Sequence, residues 1–171
     1  QADGSFTQQS GAACTMMVAD CLPILLCDNK GTQVAALHAG WRGLAGANGH
    51  GIIEAARSVF ECKSENLLVW LGPCIGPTAF EVGEEVREAF VQTSPRSASA
   101  FKTLGNAKWL ADLPALARQR LSALGITQVY GNDSSSKWCT VSNPSRFFSY
   151  RRDGVCGRIA ACVWLDGKSL A

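Results

Sequence analysis

The sequence predicts an α+β (α/β) fold in which mixed β-sheets lie in layers flanked by helices. Short apolar runs of strand length open the chain, and segments with helical spacing are interleaved with later strand-like runs. Of the 171 residues, 47% are hydrophobic and 18% are charged, which is typical of a globular protein. A chain of this length has the size of one domain and can bury a substantial core. We therefore predict a single domain over residues 1–171.

The first third of the chain is rich in predicted strands. Apolar runs of strand length occupy residues 12–18, 22–28 and 33–38. The Asn-Lys-Gly segment between the last two is typical of a tight hairpin connection. A glycine-rich loop follows, and apolar residues then recur at helical spacing over residues 51–60.

The remainder of the chain alternates predicted helices, strands and loops. Helices are predicted at 82–91 and at 110–124, the second ending before Gly125, a residue favoured just beyond a helix end. The other predicted elements are a buried strand at 67–71, polar loops at 94–100 and 134–144, a strand at 126–130, and a closing pair of strands at 147–150 and 158–165.

Charge and hydropathy exclude several classes of protein. Sixteen basic and fourteen acidic residues give a net charge of +2, too small to indicate binding to nucleic acid or to a membrane surface. No apolar run approaches the length of a transmembrane helix, and the first residues lack the pattern of a secretory signal. Because the chain does not begin with Met, we expect its gene to start further upstream.

The eight cysteines favour free thiols over disulfides. Most of them lie inside apolar runs, where cysteine behaves as a small hydrophobic residue, and no Cys-x-x-Cys pair occurs. A chain of this size does not need disulfides for stability. We predict a reducing, cytoplasmic compartment.

Cys21 and His38 are the principal candidate site residues. Cys21 lies at the edge of one predicted strand and His38 ends the next, and neighbouring strands in a hairpin can bring such residues within a few ångströms. A thiol and an imidazole are either metal ligands or a nucleophile with its base, and residue types alone leave both alternatives open. The only other histidine, His50, lies in the glycine-rich loop and is a hypothetical third ligand.

Arginines supply candidate anion-binding groups. Arg42 stands between Trp41 and Gly43, where a tight backbone allows a ligand to approach, and its guanidinium suits a phosphate or an oxyanion. Tyr150 and Arg151 belong to a segment that combines aromatic rings with paired cations. That segment either stacks on a base and neutralises a phosphate or ends a strand beside a solvated charge cluster.

These residues belong to motifs that resemble the YfiH-type family, called laccase-domain or multicopper polyphenol oxidase proteins and regarded as purine nucleoside phosphorylases. The motifs occur in one order over nearly the whole chain. They are Ala-Asp-Cys-Leu-Pro at 19–23, His-Ala-Gly-Trp-Arg-Gly at 38–43, Trp-Leu-Gly-Pro-Cys-Ile-Gly-Pro at 70–77, Phe-Glu-Val-Gly at 80–83, and the segments 113–121 and 147–153.

The resemblance implies a fold similar to the catalytic domain of cytotoxic necrotizing factor toxins. It also implies one zinc held by one Cys and two His, with copper in some members. The implied reactions are phosphorolysis of adenosine, inosine and methylthioadenosine, and deamination of adenosine. Carried over to this chain, Cys21 and His38 match two metal ligands and, with Arg42, form the catalytic set. Arg42, Tyr150 and Arg151 are the expected substrate or phosphate contacts, and Asp20 is a candidate acid for the leaving ammonia.

The chain departs from the family pattern at its start. The family's first metal histidine lies in a His-Gly motif upstream of Gln1, so we expect an N-terminal portion to be missing here. Two histidines cannot build a multicopper laccase centre, and phenol oxidation is therefore expected only as a side activity of copper at the Cys/His site.

We expect nucleoside and phosphate as partners, no nucleic acid and no membrane, and a monomer or weak homo-oligomer. Two alternatives remain open. One is a metal-free Cys-His thiol hydrolase or deamidase, the chemistry of the related toxins, and the other is a non-catalytic binding module.

Overall fold

The computed structural model describes residues 2–167, which form ten strands and five α-helices. The strands are β1 (Gly4–Thr7), β2 (Ala13–Val18), β3 (Leu22–Asp28), β4 (Val34–Ala39), β5 (Leu67–Leu71), β6 (Glu81–Gly83), β7 (Phe101–Gly105), β8 (Lys108–Ala111), β9 (Gln128–Gly131) and β10 (Ile159–Trp164). The helices are α1 (Trp41–Ala45), α2 (Ile52–Val59), α3 (Glu84–Val91), α4 (Leu113–Ala123) and α5 (Tyr150–Asp153).

A five-stranded mixed sheet in the order β1-β4-β3-β5-β9 is the centre of the fold. Strand β3 pairs antiparallel with both β4 and β5, whereas β9 runs parallel to β5. The β3–β4 register places Pro23 opposite His38 and Leu22 opposite Ala39. This register fixes which residues meet where the two strands end, and the candidate site lies there.

Two apolar layers cover the faces of this sheet. Leu22, Ile24 and Leu37 pack with residues of α2 and α4 in the main core. The alternate residues Leu25 and Cys27 instead pack with residues from the β2–β10 pair, in a second cluster. Side chains that alternate along a strand point to opposite faces, so a sheet between two layers is apolar on both. The predicted layered α+β class is confirmed.

Most of the predicted early elements are present. The three opening apolar runs form β2, β3 and β4, residues 67–71 form β5, and α2 lies within the predicted helix at 51–60. The predicted strand at 126–130 is present as β9 but begins at Gln128, because Ile126 is buried in the main core just after α4. Strand β1 was not predicted, and it borders β4 at the edge of the sheet.

Two predicted helices begin later than expected because short strands precede them. The helix predicted at 82–91 begins at Glu84, since Val82 pairs with Trp109 in the sheet β6-β8-β7. The helix predicted at 110–124 begins at Leu113, where the Asp112 carboxylate accepts a hydrogen bond from the Ala115 N–H and caps the helix. The β7–β8 hairpin was not predicted.

The loops and the last strands also differ from the predictions. Residues 95–100 form a 3-10 helix, not a loop, and a short 3-10 turn at 136–138 lies inside the predicted polar loop. The predicted strand pairing of 147–150 with 158–165 is wrong. Ser149 instead caps α5, and β10 pairs with β2 in a register that joins Ile159 to Val18.

Two further sequence expectations concern thiols and membranes. All eight cysteines lie within the described range and are free, as predicted. Between residues 2 and 167, no helix combines the length and apolar character needed to cross a membrane.

Candidate functional site

A cavity of about 350 Å³ brings together the five principal candidates of the sequence for catalysis, substrate binding and metal binding, but not His50. It opens where β3 begins and β4 ends, beside α1 and α5. The residues in question are Cys21, His38, Arg42, Tyr150 and Arg151.

The thiol of Cys21 and the imidazole of His38 both lie close to Gly40. Extended one step beyond the strands, the β3–β4 register puts Cys21 opposite Gly40, on the same face as His38. A Cβ built on Gly40 would stand 3.1 Å from the Cys21 Sγ and 3.8 Å from the His38 Cε1. A Cβ at this position would therefore crowd the Cys21 thiol, and glycine avoids that contact.

His38 has a carboxylate neighbour that the sequence reasoning missed. The Asp3 carbonyl accepts a hydrogen bond from the His38 N–H at 2.7 Å, and an Asp3 Oδ1 lies 3.3 Å from the His38 Nδ1. A carboxylate at one ring nitrogen orients an imidazole and favours the tautomer that leaves the other nitrogen free. Asp3 precedes β1, which was itself unpredicted, so no sequence signal connected it with His38.

The electrostatic surroundings disfavour the thiolate of Cys21 when no cation is near. Burial, followed by the negative charges of Asp20 and Asp3, raises the pKa of the Cys21 thiol. A metal ion would reverse this preference, because a coordinated thiol is deprotonated.

Asp20 is held at the back of the cavity by an unusual backbone and a full set of hydrogen bonds. It has a φ of +82°, outside the range that most non-glycine residues adopt, and is only 8% exposed. Its two carboxylate oxygens accept hydrogen bonds from the Thr140 hydroxyl and, at 2.7 Å, from the Arg151 N–H. Its carbonyl accepts another from the Ile75 N–H at 2.9 Å.

Two guanidinium groups face the cavity. Arg42 stacks on the ring of Trp41 at 4.4 Å, and Arg151 lies 5.6 Å from the ring centre of Phe80. The Arg151 Nη1 donates to the carbonyl of Glu81 at 3.2 Å. Considering residues 2–167 alone, neither guanidinium has a carboxylate within 4 Å. Two cations without such a partner beside one cavity suit an anionic ligand.

Apolar side chains that the sequence reasoning did not assign complete the wall of the cavity. They are Ile75, Phe80 and Leu113, which come from three separate segments. Such a combination of apolar surface with a few polar groups is typical of small-molecule sites. The motif at 70–77, the motif at 80–83 and the segment 113–121 each contain one of these residues, and this was the available sequence signal.

Cys21 and His38 fit two positions of a zinc site. Thiolate and neutral imidazole are preferred zinc ligands, and both groups border the open space over Gly40. Within the described part of the chain, no group of three Cys, His, Asp or Glu side chains is arranged to hold a metal. His50 does not line the cavity, and its backbone pairs with that of Ala47, so it is not placed as a substitute ligand.

Comparisons with known proteins show which family the chain resembles over its length. A purine nucleoside phosphorylase, YfiH of Shigella flexneri, is 50% identical over 165 residues, which cover 96% of this chain and 64% of the relative. A purine nucleoside phosphorylase of Haemophilus influenzae is 42% identical over 168 residues, which cover 97% of this chain and 66% of the relative. The crystal structure of Neisseria meningitidis protein NMB0706 superposes with a TM-score of 0.90 at 46% identity, covering 97% of this chain and 65% of that one.

The chain thus spans about two thirds of the length of these relatives. A model of the family described as multi-copper polyphenol oxidoreductase laccase matches residues 1–166. Because that match covers nearly the whole sequence, the chain belongs to the multi-copper polyphenol oxidoreductase laccase family, as the resemblance predicted.

Proposed function

We propose that this chain carries the active site of a zinc-dependent purine nucleoside phosphorylase acting on adenosine, inosine and methylthioadenosine, with adenosine deaminase activity. One observation carries the proposal. A single cavity collects a thiol and an imidazole that both lie close to Gly40, together with two guanidinium groups suited to an anion. Relatives named purine nucleoside phosphorylases, at about half identity, support this class of reaction.

Phosphorolysis requires phosphate to reach the anomeric carbon of the nucleoside. Arg42 and Arg151 would hold phosphate oxygens, because a planar guanidinium matches them in a bidentate arrangement. Phe80, Ile75 and Leu113 offer an apolar wall for the purine. Phosphate then displaces the base, which leaves with the electrons of the glycosidic bond and accepts a proton. Positioning and neutralisation of charge would supply much of the rate.

Zinc would be held by Cys21 and His38 together with a histidine outside the residues described here. When bound, it would supply a Lewis acid that polarises a substrate atom or acidifies water. Deamination replaces the amino group at purine C6 by an oxygen from water and releases ammonia. We propose copper in the same Cys/His site as the source of any phenol oxidation. Nucleoside and phosphate are the partners we propose, in the cytoplasm, with a monomer or weak homo-oligomer.

Replacing either cavity arginine by alanine is expected to weaken phosphate binding more than nucleoside binding. A hydrogen bond to a charged group contributes about 1.5–3 kcal/mol, so the KM for phosphate should rise about 10- to 100-fold in Arg42→Ala and Arg151→Ala. The assay measures ribose 1-phosphate formed from adenosine and phosphate by the purified protein. Arg146→Ala, a matched change outside the cavity lining, should leave both KM values unchanged.

Two outcomes would contradict the proposal. One is the absence of any sugar 1-phosphate product, which is ribose 1-phosphate from adenosine or inosine and 5-methylthioribose 1-phosphate from methylthioadenosine, in protein whose zinc content is near one per chain. The other is an equal loss in the Arg42 and Arg146 variants, which would show that the cavity arginines have no special part.

A metal-free thiol hydrolase is the second candidate, because Cys21 and His38 are neighbours. A nucleophilic cysteine needs a lowered pKa, and that of Cys21 is raised. With a metal chelator present, we therefore expect iodoacetamide to modify Cys21 slowly at pH 7.5. The rate of this alkylation should rise with pH through a midpoint above 9.0, which is the ordinary pKa of a thiol. The exposed Cys162 serves as an internal reference in the same mass-spectrometric measurement.

The sign of this expectation follows first from the burial of Cys21, which disfavours the charged thiolate, and then from the charges nearby. Asp20 and Asp3 oppose a negative sulfur, so less thiolate is present at neutral pH than for an ordinary cysteine. Rapid alkylation of Cys21 at pH 6–7 in metal-free protein would instead favour the thiol hydrolase.

A further inference from the structure

Asp20 connects three segments that lie far apart in the sequence. Its side chain reaches Thr140 in one loop and the backbone of Arg151 at the start of α5, which is 131 residues away. Its carbonyl accepts from Ile75, a residue of the cavity wall. Cys21 is the next residue along the chain. Asp20 therefore stands between the candidate metal ligand and the candidate phosphate ligand.

We propose that Asp20 is a positioning residue that holds Arg151, and with it the phosphate subsite, beside Cys21 and His38, and that it is not the proton donor for a leaving group. The inference rests on the proposed function in one respect, the binding of phosphate by Arg151. The hydrogen bond from the Arg151 N–H to the Asp20 carboxylate is its structural basis.

The hydrogen bonds of α5 show why this contact is specific. Ser149 caps the helix by accepting from the Arg152 N–H at 3.2 Å, and the Arg152 guanidinium donates to the carbonyls of Thr140, Val141 and Phe147. These contacts hold α5 in the fold without Asp20. The Arg151 N–H depends on Asp20 instead, so removing the carboxylate should loosen Arg151 while the rest of α5 remains anchored.

The same contacts argue against Asp20 as an acid. Each of its oxygens faces a donor, the Thr140 hydroxyl on one side and the Arg151 N–H on the other. The Arg151 N–H can only donate, so the carboxylate oxygen that it faces serves as its acceptor. A carboxylate that accepts on both sides is suited to holding donors in place.

Asp20→Asn tests the proposal, because the amide keeps the shape but turns an acceptor oxygen into an NH₂ group. The KM for phosphate is expected to rise about 10-fold or more, the lower end of the range for a lost charge-assisted hydrogen bond. The KM for adenosine and kcat should change much less. Hydrogen exchange at the Arg151 amide should become faster, and zinc content should stay the same.

Asp28→Asn is the matched control. Asp28 is another buried carboxylate at an end of β3, it accepts from Thr32 and Gln33, and it lies outside the cavity lining. This variant should lose stability without any change in the KM for phosphate.

Thr140→Val provides a second route, because it removes one donor to Asp20 and keeps the carboxylate. It should raise the KM for phosphate in the same direction, by a smaller factor.

A double variant separates positioning from general damage. In Arg151→Ala the guanidinium is gone, so adding Asp20→Asn should not raise the KM for phosphate further. A collapse of kcat with an altered pH profile and an unchanged KM for phosphate would overturn the proposal in favour of a proton donor. Unchanged exchange at the Arg151 amide would also overturn it. That exchange measurement needs no catalysis, so it decides the role of Asp20 even if the protein is not a phosphorylase.

Discussion

Cys21→Ser is expected to abolish both zinc binding and phosphorolysis. Serine nearly preserves the size of the side chain but removes the sulfur, the ligand that zinc prefers in such a site. Changing a residue that merely supports a metal ligand costs about 10- to 100-fold in affinity or activity, so loss of the ligand itself should cost more. Zinc content by mass spectrometry and ribose 1-phosphate formation are the two measurements.

Cys162→Ser is the control for this experiment. Cys162 is an exposed thiol on β10 that does not line the cavity, and its replacement should affect neither measurement. If Cys21→Ser kept full activity, the metal enzyme and the thiol hydrolase would both be wrong. If it lost activity while the wild-type protein carried no zinc after purification with its upstream segment present, the thiol hydrolase would gain support.

Arg120→Met is expected to produce a large loss of stability. The Arg120 side chain joins both Glu54 oxygens, at 3.0 Å from Nε and 2.8 Å from Nη2, and also donates to the Gly49 carbonyl. The two side chains are only 11% and 15% exposed. Removing one partner of such a pair leaves a buried charge and costs about 3–5 kcal/mol. Urea unfolding of the two proteins measures the difference.

Lys137→Met is the matched control, since the pair of Lys137 with Asp133 is exposed on both sides. Its unfolding midpoint should match the wild type, because exposed ion pairs contribute little. If the unfolding midpoint of Arg120→Met were as close to the wild-type midpoint as that of Lys137→Met, the Arg120–Glu54 pair would not anchor the glycine-rich loop. Glu54 also accepts from the Gly51 N–H at 2.8 Å, so that loop is where the loosening should appear.

The early strands and the cavity residues could be predicted from the sequence because local patterns determine them. Alternating or continuous apolar residues identify β2, β3 and β5, and the turn between β3 and β4 fixes a register that brings Cys21 near His38. The place of Arg42 beside the cavity could be predicted because Arg42 comes shortly after β4, the strand that carries His38. These features depend on neighbours in the sequence or on a single hairpin.

The features that were missed depend on contacts between distant segments. Asp3 meets His38 only because β1 adds to the edge of β4, and a four-residue strand carries little sequence signal. Residues 147–150 have the aromatic character of a strand, but the Ser149 cap and the hydrogen bonds of the Arg152 guanidinium hold the following residues as a helix. Tertiary hydrogen bonds overrode a local preference there.

The cavity draws on residues from Asp3 to Arg151, nearly the whole length of the described chain. Contacts between residues so far apart form only after much chain entropy has been lost, which slows folding relative to proteins with local contacts. No short fragment contains the site. Recovery of catalysis during refolding should therefore report the last cooperative step, and it should lag behind the signals from individual helices.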